Sequence, residues 1–266
     1  MLHPTRPSSL SAAQKFRGTV LRESEAEMHI SLSEDGLDWQ KATTVAYSTT
    51  RLVPRTDLKK QRTYTVDTIA CTPGLDVART RADVETLAKK LSKVDSSTFG
   101  LLSCHRLIKR KNPKTRQLDY LNLVFDLPQK GGRRPASLRH HLLNSSNLSL
   151  TRILSTARQL AGAVSFVHAC DFVHKNIRPE TVLVFPDKEA ASPYALGSGY
   201  LLGFDSFRSV NFHTLRTRDA AWDRNLYRHP SRHGVFAQDT YRMQHDVYSL
   251  GVCLLEQGLL GELRVL

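Results

Sequence analysis

Residues 172–183 (FVHKNIRPETVL) gather His174, Lys175, Asn176, Arg178 and Thr181, side chains suited to holding or moving charge. They stop short of a proton-transfer centre. The amide nitrogen of Asn176 has no lone pair that accepts a proton at neutral pH, so it cannot serve as a general base. The hydroxyl of Thr181 is neutral and a poor metal ligand. Further on, Gly203-Phe204-Asp205 offers one carboxylate, Asp205, and Gly203 offers no side chain at all.

The surrounding pattern predicts the elements that must position these groups. Short runs rich in Thr, Val and Tyr at 18–21, 28–32, 43–47 and 64–69 predict strands. Val84, Leu87, Ala88, Leu91 and Val94 recur at helical spacing. Two strands are predicted over 99–108 and 118–125, joined by a basic turn at Asn112-Pro113, and Gly131-Gly132 breaks the pattern as a linker would. A second helical stripe runs from Leu150 to Val167, with Ser149 as its expected cap. Strands are expected at 182–185 and 200–202. The run 246–256 is apolar nearly all round and predicts a buried helix.

The chain has 266 residues, 40% hydrophobic and 24% charged, an ordinary globular composition with enough length for a real core. No run of about eighteen apolar residues is present to span a membrane. Residues 1–15 read as a disordered tail rather than a transit peptide. Cys71, Cys104, Cys170 and Cys253 sit singly among apolar residues, which predicts buried thiols in a reducing, cytoplasmic setting and no metal site. The net charge of +13 is concentrated at 130–139 and at 106–116 (RLIKRKNPKTR, from Arg106 to Arg116). Such a surface suits an acidic lipid or protein partner, or simply keeps a loop solvated. No aromatic residues interleave to stack bases, so no specific nucleic acid is expected.

Residues 172–183 resemble the catalytic loop of the protein kinases, His-Arg-Asp followed by four variable residues and Asn. Asn176 stands at the Asp position and Thr181 at the Asn position. Gly203-Phe204-Asp205 stands where kinases carry Asp-Phe-Gly. Tyr227-Arg228-His229-Pro230, with Ser231 after it, resembles the end of the activation segment. Asp246-Val247-Tyr248-Ser249-Leu250-Gly251 resembles the central helix of the large lobe, Val124-Phe125-Asp126-Leu127 the hinge, and 137–143 the helix after it. The resemblance covers about residues 80–257. It extends to fungal kinase-like proteins found with HeLo-type prion-forming or membrane-active domains. These share a His-Lys-x-Ile-Arg loop, a Tyr-Arg-His-Pro segment and an Arg81-x-x-Val84-x-x-Leu87-Ala88 helix.

The resemblance implies an α+β, two-lobed protein-kinase-like fold: a β-rich small lobe with one helix over 16–128 and a helical lobe over 129–266, truncated after its central helix. It implies that His174 and Phe204 stack in an internal spine. Asp246 would accept hydrogen bonds from the catalytic loop, and Arg178 would keep the charge of the family's loop lysine. Lys175 replaces the arginine that pairs with an activation-loop phosphate; Thr214 and Thr217 lie in that segment beside Arg216 and Arg218, as phosphosites or as part of an ordinary polar loop. Pro230 would close that segment. Phe125, Asp126 and Leu127 would border an adenine site, although Pro128 lacks the N–H that adenine needs. Glu85 would be the partner glutamate of the small-lobe helix, but no Val-Ala-x-Lys strand or Gly-x-Gly-x-x-Gly loop accompanies it. The two metal-binding positions fall on Gly203 and Thr181, with Asp205 the one substitute.

The reading is a catalytically impaired pseudokinase that signals by binding a protein partner. ATP with Mg²⁺ belongs to the alternative, a weakly active Ser/Thr kinase using Asp205. A basic lipid- or nucleic-acid-binding module is the third reading. Ending at Leu266, the chain is expected to leave Leu254 and Leu255 uncovered unless a partner or second copy covers them.

Overall fold

The computed structural model describes Gly18 and residues 36–55, 62–71, 76–128, 134–144, 149–186, 197–209, 222–233 and 240–262. The tail, the runs at 18–21 and 28–32 expected as strands, and Thr214 and Thr217 lie outside these residues, Gly18 excepted. The fold is α+β. A five-stranded antiparallel sheet comprises β1 (Thr43–Thr44), β2 (Arg51–Arg55), β3 (Arg62–Ala70), β4 (Cys104–Lys111) and β5 (Leu118–Asp126), in the order β1-β2-β3-β5-β4.

Alternation along β3 and β5 divides the sheet between two apolar clusters. Tyr64, Val66 and Val124 join Leu37, Val53 and Ile108 in a small one. Ile69, Leu121, Leu123 and Phe125 face the main core. Helix α1 (Val77–Leu91) covers that second face with buried Val84, Leu87, Ala88 and Leu91, and Asp76 caps it by accepting from the Arg79 N–H at 2.9 Å. Between β4 and β5, the Asn112 carboxamide accepts from the N–H groups of Lys114 and Thr115, so the basic run does tip a hairpin.

Two expectations shift here. The strand predicted from residue 99 starts only at Cys104. Residues 96–99 instead form the short helix α2 (Ser96–Phe99), because Asp95 accepts from the Ser97 N–H and from the hydroxyls of Ser97 and Thr98. Gly100 then turns the chain at φ 59°, where a Cβ would lie 2.4 Å from the Gln159 carbonyl oxygen. Strand β2 escapes sequence reading because it contains Pro54. Its β1 partner stops opposite Leu52, so the missing N–H falls beyond that pairing.

The remaining chain builds β6 (Ala136–Ser137), α3 (Leu138–Asn144), α4 (Leu150–Ala169), β7 (Phe172–Val173), β8 (Val182–Phe185), β9 (Ser198–Leu201), β10 (Arg208–Ser209), α5 (Trp222–Asn225) and α6 (Met243–Glu262). β6-β8-β9 form a three-stranded sheet and β10-β7 a pair. One buried cluster runs from α1 and the sheet through Leu160, Ala163 and Val167 of α4 to Cys253 of α6. Ser149 occupies the N-cap of α4 but makes no side-chain capping bond. Helix α6 is not enclosed: Val247, Leu255 and Leu259 are exposed, whereas Leu254 packs partly against the core. Cys104, Cys170 and Cys253 are buried thiols and Cys71 is half-buried. No helix among the described residues is long and apolar enough to cross a membrane.

A polar knot ties α3 to α6. The Arg139 guanidinium donates to Glu180 at 2.7 Å, to Glu256 and to the Tyr227 hydroxyl, which in turn donates to Glu256. Burial and the Glu256 carboxylate push the Tyr227 phenol well above its usual range, keeping it a donor. Arg139→Met is expected to cost about 2–3 kcal/mol, less than a fully buried pair because solvent still reaches the site. Urea unfolding checks this: the midpoint should fall with the slope unchanged. A loss below about 0.5 kcal/mol would show that water already screens the knot.

Candidate functional site

The loop from His174 to Thr181 hangs from one carboxylate. Asp246, fully buried, accepts from the backbone N–H of His174 (2.7 Å) and of Lys175 (2.9 Å), from His168 Nε2 (2.9 Å) and from the Tyr241 hydroxyl (2.6 Å). Burial alone would raise its pKa, but these donors prevail and hold it below the usual carboxylate value. Lys175 reaches its place at φ 66°, a left-handed conformation that the bonds to Asp246 help hold. His174 packs against Phe204 at 4.7 Å between centroids with the rings tilted by 56°, and burial keeps its ring below its usual pKa despite Asp246 and Asp205. Phe204 lies 6.4 Å from Phe125 and 6.2 Å from Phe207, so a line of aromatic rings fills the space between the sheet and the loop.

Inside the loop the Asn176 and Thr181 side chains are both occupied, whereas His174 Nε2 is buried without a hydrogen-bond partner among the described residues. Asn176 donates through Nδ2 to Asp205 Oδ1 (2.8 Å) and to the Gly203 carbonyl (3.3 Å), and its Oδ1 accepts from Arg178 Nε (3.0 Å). The Thr181 hydroxyl donates toward the carbonyls of Asn176 (2.8 Å) and Arg178 (2.9 Å) and accepts from the Arg178 N–H (3.2 Å). Asp205 is thus engaged by an amide donor, and Thr181 is turned into its own loop. Gly203 sits at φ 80°, and a Cβ there would lie 2.5 Å from Thr181 Cγ2. Among the described residues, no three His, Cys, Asp or Glu side chains are grouped to hold a metal ion.

The decisive side chain is one that sequence reading passed over. Asp67, in the middle of β3, crosses to the far loop, where its Oδ2 accepts from the backbone N–H groups of Gly203 (2.6 Å) and Phe204 (3.3 Å). Its Oδ1 accepts from the Thr50 hydroxyl at 2.9 Å. Burial pushes its pKa up to about 6, against the pull of the Gly203, Thr50 and Phe204 donors, and nearby Asp205 adds to the rise. The available signal was a lone acid at 67 inside an apolar, alternating strand, a position that must be buried and bonded.

The other predicted positions are dispersed. Glu85 is held by Lys109 Nζ at 2.6 Å and Arg81 Nε at 2.8 Å, and those partners keep its pKa low although burial opposes them. Phe125 is buried beneath the sheet. The Asp126 N–H donates to the Ser103 carbonyl, its carboxylate faces His105 at 3.3 Å, and Leu127 packs partly against the core. Pro230, itself exposed, opens a 3-10 turn, Pro230–Arg232, whose other two residues are half-buried. Arg178, 8% exposed, joins Lys175, Arg224 and Arg228 around a small cleft. Compared with known proteins, the chain matches no protein-family model and no curated protein.

Proposed function

We propose that this chain is a two-lobed, kinase-like domain that has exchanged phosphoryl transfer for binding: a pseudokinase acting as a signalling scaffold. The observation that carries the reading is the Asp67 carboxylate seated on the Gly203 and Phe204 amides. In the kinase arrangement the corresponding strand supplies a lysine to the nucleotide phosphates, and the loop supplies the metal-binding aspartate. Here an anion occupies the strand position, repelling phosphates, and a glycine with no room for a side chain occupies the loop position. Asn176 cannot take a proton. General-base loss alone removes about 10²–10⁴ in rate.

Support for the architecture comes from the sheet order β1-β2-β3-β5-β4 with α1 between β3 and β4, and from Asp246 suspending the loop. Buried thiols suit a reducing, cytoplasmic setting. The exposed apolar residues of α6 suit a protein partner. A second reading, a basic module for acidic surfaces, draws on the hairpin tip, where Arg110, Lys111, Lys114 and Arg116 are exposed.

Thermal melting of the full chain with ATP alone and with ATP plus Mg²⁺ tests the proposal. The expected result is no Mg²⁺-dependent stabilisation, with a midpoint shift below about 1 °C at millimolar nucleotide. A clear shift that requires Mg²⁺ and is lost in Asp205→Ala would replace this reading with that of a weakly active kinase.

A further inference from the structure

The β4–β5 hairpin extends past its neighbour in the sheet. Strand β3 ends at Ala70, opposite Tyr120, whereas β4 and β5 stay paired as far as Lys111 and Leu118 before the chain turns. Hydrogen bonds fix the turn. The Asn112 carboxamide accepts from the N–H groups of Lys114 (2.9 Å) and Thr115 (3.1 Å). The Asn112 N–H donates to the Gln117 carbonyl at 2.8 Å, and the Arg116 N–H donates to the Asn112 carbonyl at 2.9 Å. Arg116 adopts a left-handed conformation, φ 61°, to close it. The backbone of the tip is therefore set before any partner arrives.

The charges on this frame are all positive. Residues 106–117 contain Arg106, Lys109, Arg110, Lys111, Lys114 and Arg116 and no acid. Two of these serve the fold: Arg106 is buried, and Lys109 holds Glu85 of α1 at 2.6 Å. Arg110, Lys111, Lys114 and Arg116 are exposed, and among the described residues the last three make no ion pair. Asp119, the nearest carboxylate along β5, is half-buried. Side chains alternate along a strand, so Lys109 on the α1 side puts Arg110 on the opposite face and Lys111 back on its own. Cations thus stand on both faces of the projecting end and in the turn itself.

We infer that this tip docks end-on against an anionic phospholipid bilayer. The inference rests on the second reading above, whose partner it names, and is independent of the kinase-like one. A convex end with long, flexible cations cannot enclose a ligand, but all of them can reach forward to one plane. A bilayer with acidic headgroups supplies that plane and asks for no matching shape. Each basic side chain near it raises affinity about fivefold. A nucleic acid would favour rings that stack on bases, and the turn carries none. An acidic peptide would favour cations along an open strand edge, whereas Lys114 and Arg116 lie in the turn. Pro113 is exposed at the apex with no large apolar side chain beside it, so the contact stays at headgroup level without insertion. Tyr120, exposed across from Arg110, suits that level too.

The test sediments the full chain with vesicles of phosphatidylcholine, alone or mixed with phosphatidylserine. Binding is expected only to the mixed vesicles and is lost as salt rises to about 0.5 M. The triple variant Lys111→Gln, Lys114→Gln, Arg116→Gln should bind at least about tenfold more weakly. A matched variant, Lys89→Gln, Lys93→Gln, Arg158→Gln, removes three exposed cations elsewhere and should stay within about twofold of wild type. None of the six side chains is buried, and circular dichroism confirms that each variant is folded. Unchanged binding in the tip variant, or equal weakening in both, would overturn the assignment. A DNA duplex and polyglutamate serve as rival polyanions. Tip-dependent binding to either one without vesicle binding would overturn the bilayer but keep the basic-module reading. Failure of all three would overturn both, and the ATP melts would stand unaffected.

Discussion

Asp67→Asn is expected to stabilise the protein at pH 7.5 by about 1–3 kcal/mol, whereas Asp67→Ala destabilises it at pH 5 by a similar amount. The asparagine carbonyl can still accept from the Gly203 and Phe204 N–H groups, and its amide can donate to the Thr50 hydroxyl, so the three bonds survive without the buried charge. Alanine keeps none of them and leaves two backbone donors buried. The pH profile follows from the direction of the shift. The folded-state pKa is raised from 3.8 to about 6, so the folded protein binds the proton more tightly than the unfolded chain. That contribution is fully present below pH 4 and is lost as pH rises through 6, a swing of about 3 kcal/mol.

His174, buried and neutral, opposes acidification in the same window, whereas Asp246, held low, loses its contribution only as pH falls below the usual carboxylate value. The informative quantity is therefore the difference between wild type and Asp67→Asn, measured by urea unfolding from pH 4 to pH 8, in which those groups largely cancel. A gap in favour of asparagine that widens with pH is the expected result. Asparagine as damaging as alanine at pH 7.5 would show that the charged form is preferred on the two amides and that burial has been overrated.

A side chain at position 203 should fail for a different reason. Gly203→Ala is expected to cost about 2–5 kcal/mol: about 1–2 for a left-handed conformation and the rest for overpacking against Thr181. The added Cβ would lie 2.5 Å from Thr181 Cγ2 and 2.8 Å from Thr181 Cβ, both on a short side chain fastened by its own hydroxyl. Gly203→Asp, which places a carboxylate where a kinase holds metal, is expected to be worse still and to gain no Mg²⁺-dependent stabilisation. Thr181→Ser removes the methyl but keeps the hydroxyl, so Gly203→Ala combined with Thr181→Ser should recover about 1–2 kcal/mol relative to the sum of the two single changes. Additive losses would place the whole penalty in the backbone conformation. A cost under about 1 kcal/mol for Gly203→Ala would show that the loop yields.

These two positions mark how far the amino-acid pattern reached. Helix α1 was legible from Val84, Leu87, Ala88 and Leu91, and β3 and β5 from their alternation, because burial of one face imposes a period that the residues must follow. The order of Asn176, Thr181, Gly203 and Asp246 was legible too, since each is a statement about side-chain chemistry at one place in the chain. Short-range competition was not: Asp95 drew residues 96–99 into a helix, and Ser149 stood at its cap without making the bond.

Only the tertiary structure decided what the charges do. Asp67 meets Gly203 across 136 positions and Arg139 meets Glu256 across 117, and the Lys175–Arg228 cleft draws on segments far apart in the chain. Periodicity says that a face is buried but not which residue it is buried against. A lone acid in a strand announces only that it needs a partner. Which partner it finds depends on how the sheet docks on the loop, and that is set by packing of the shared core as a whole.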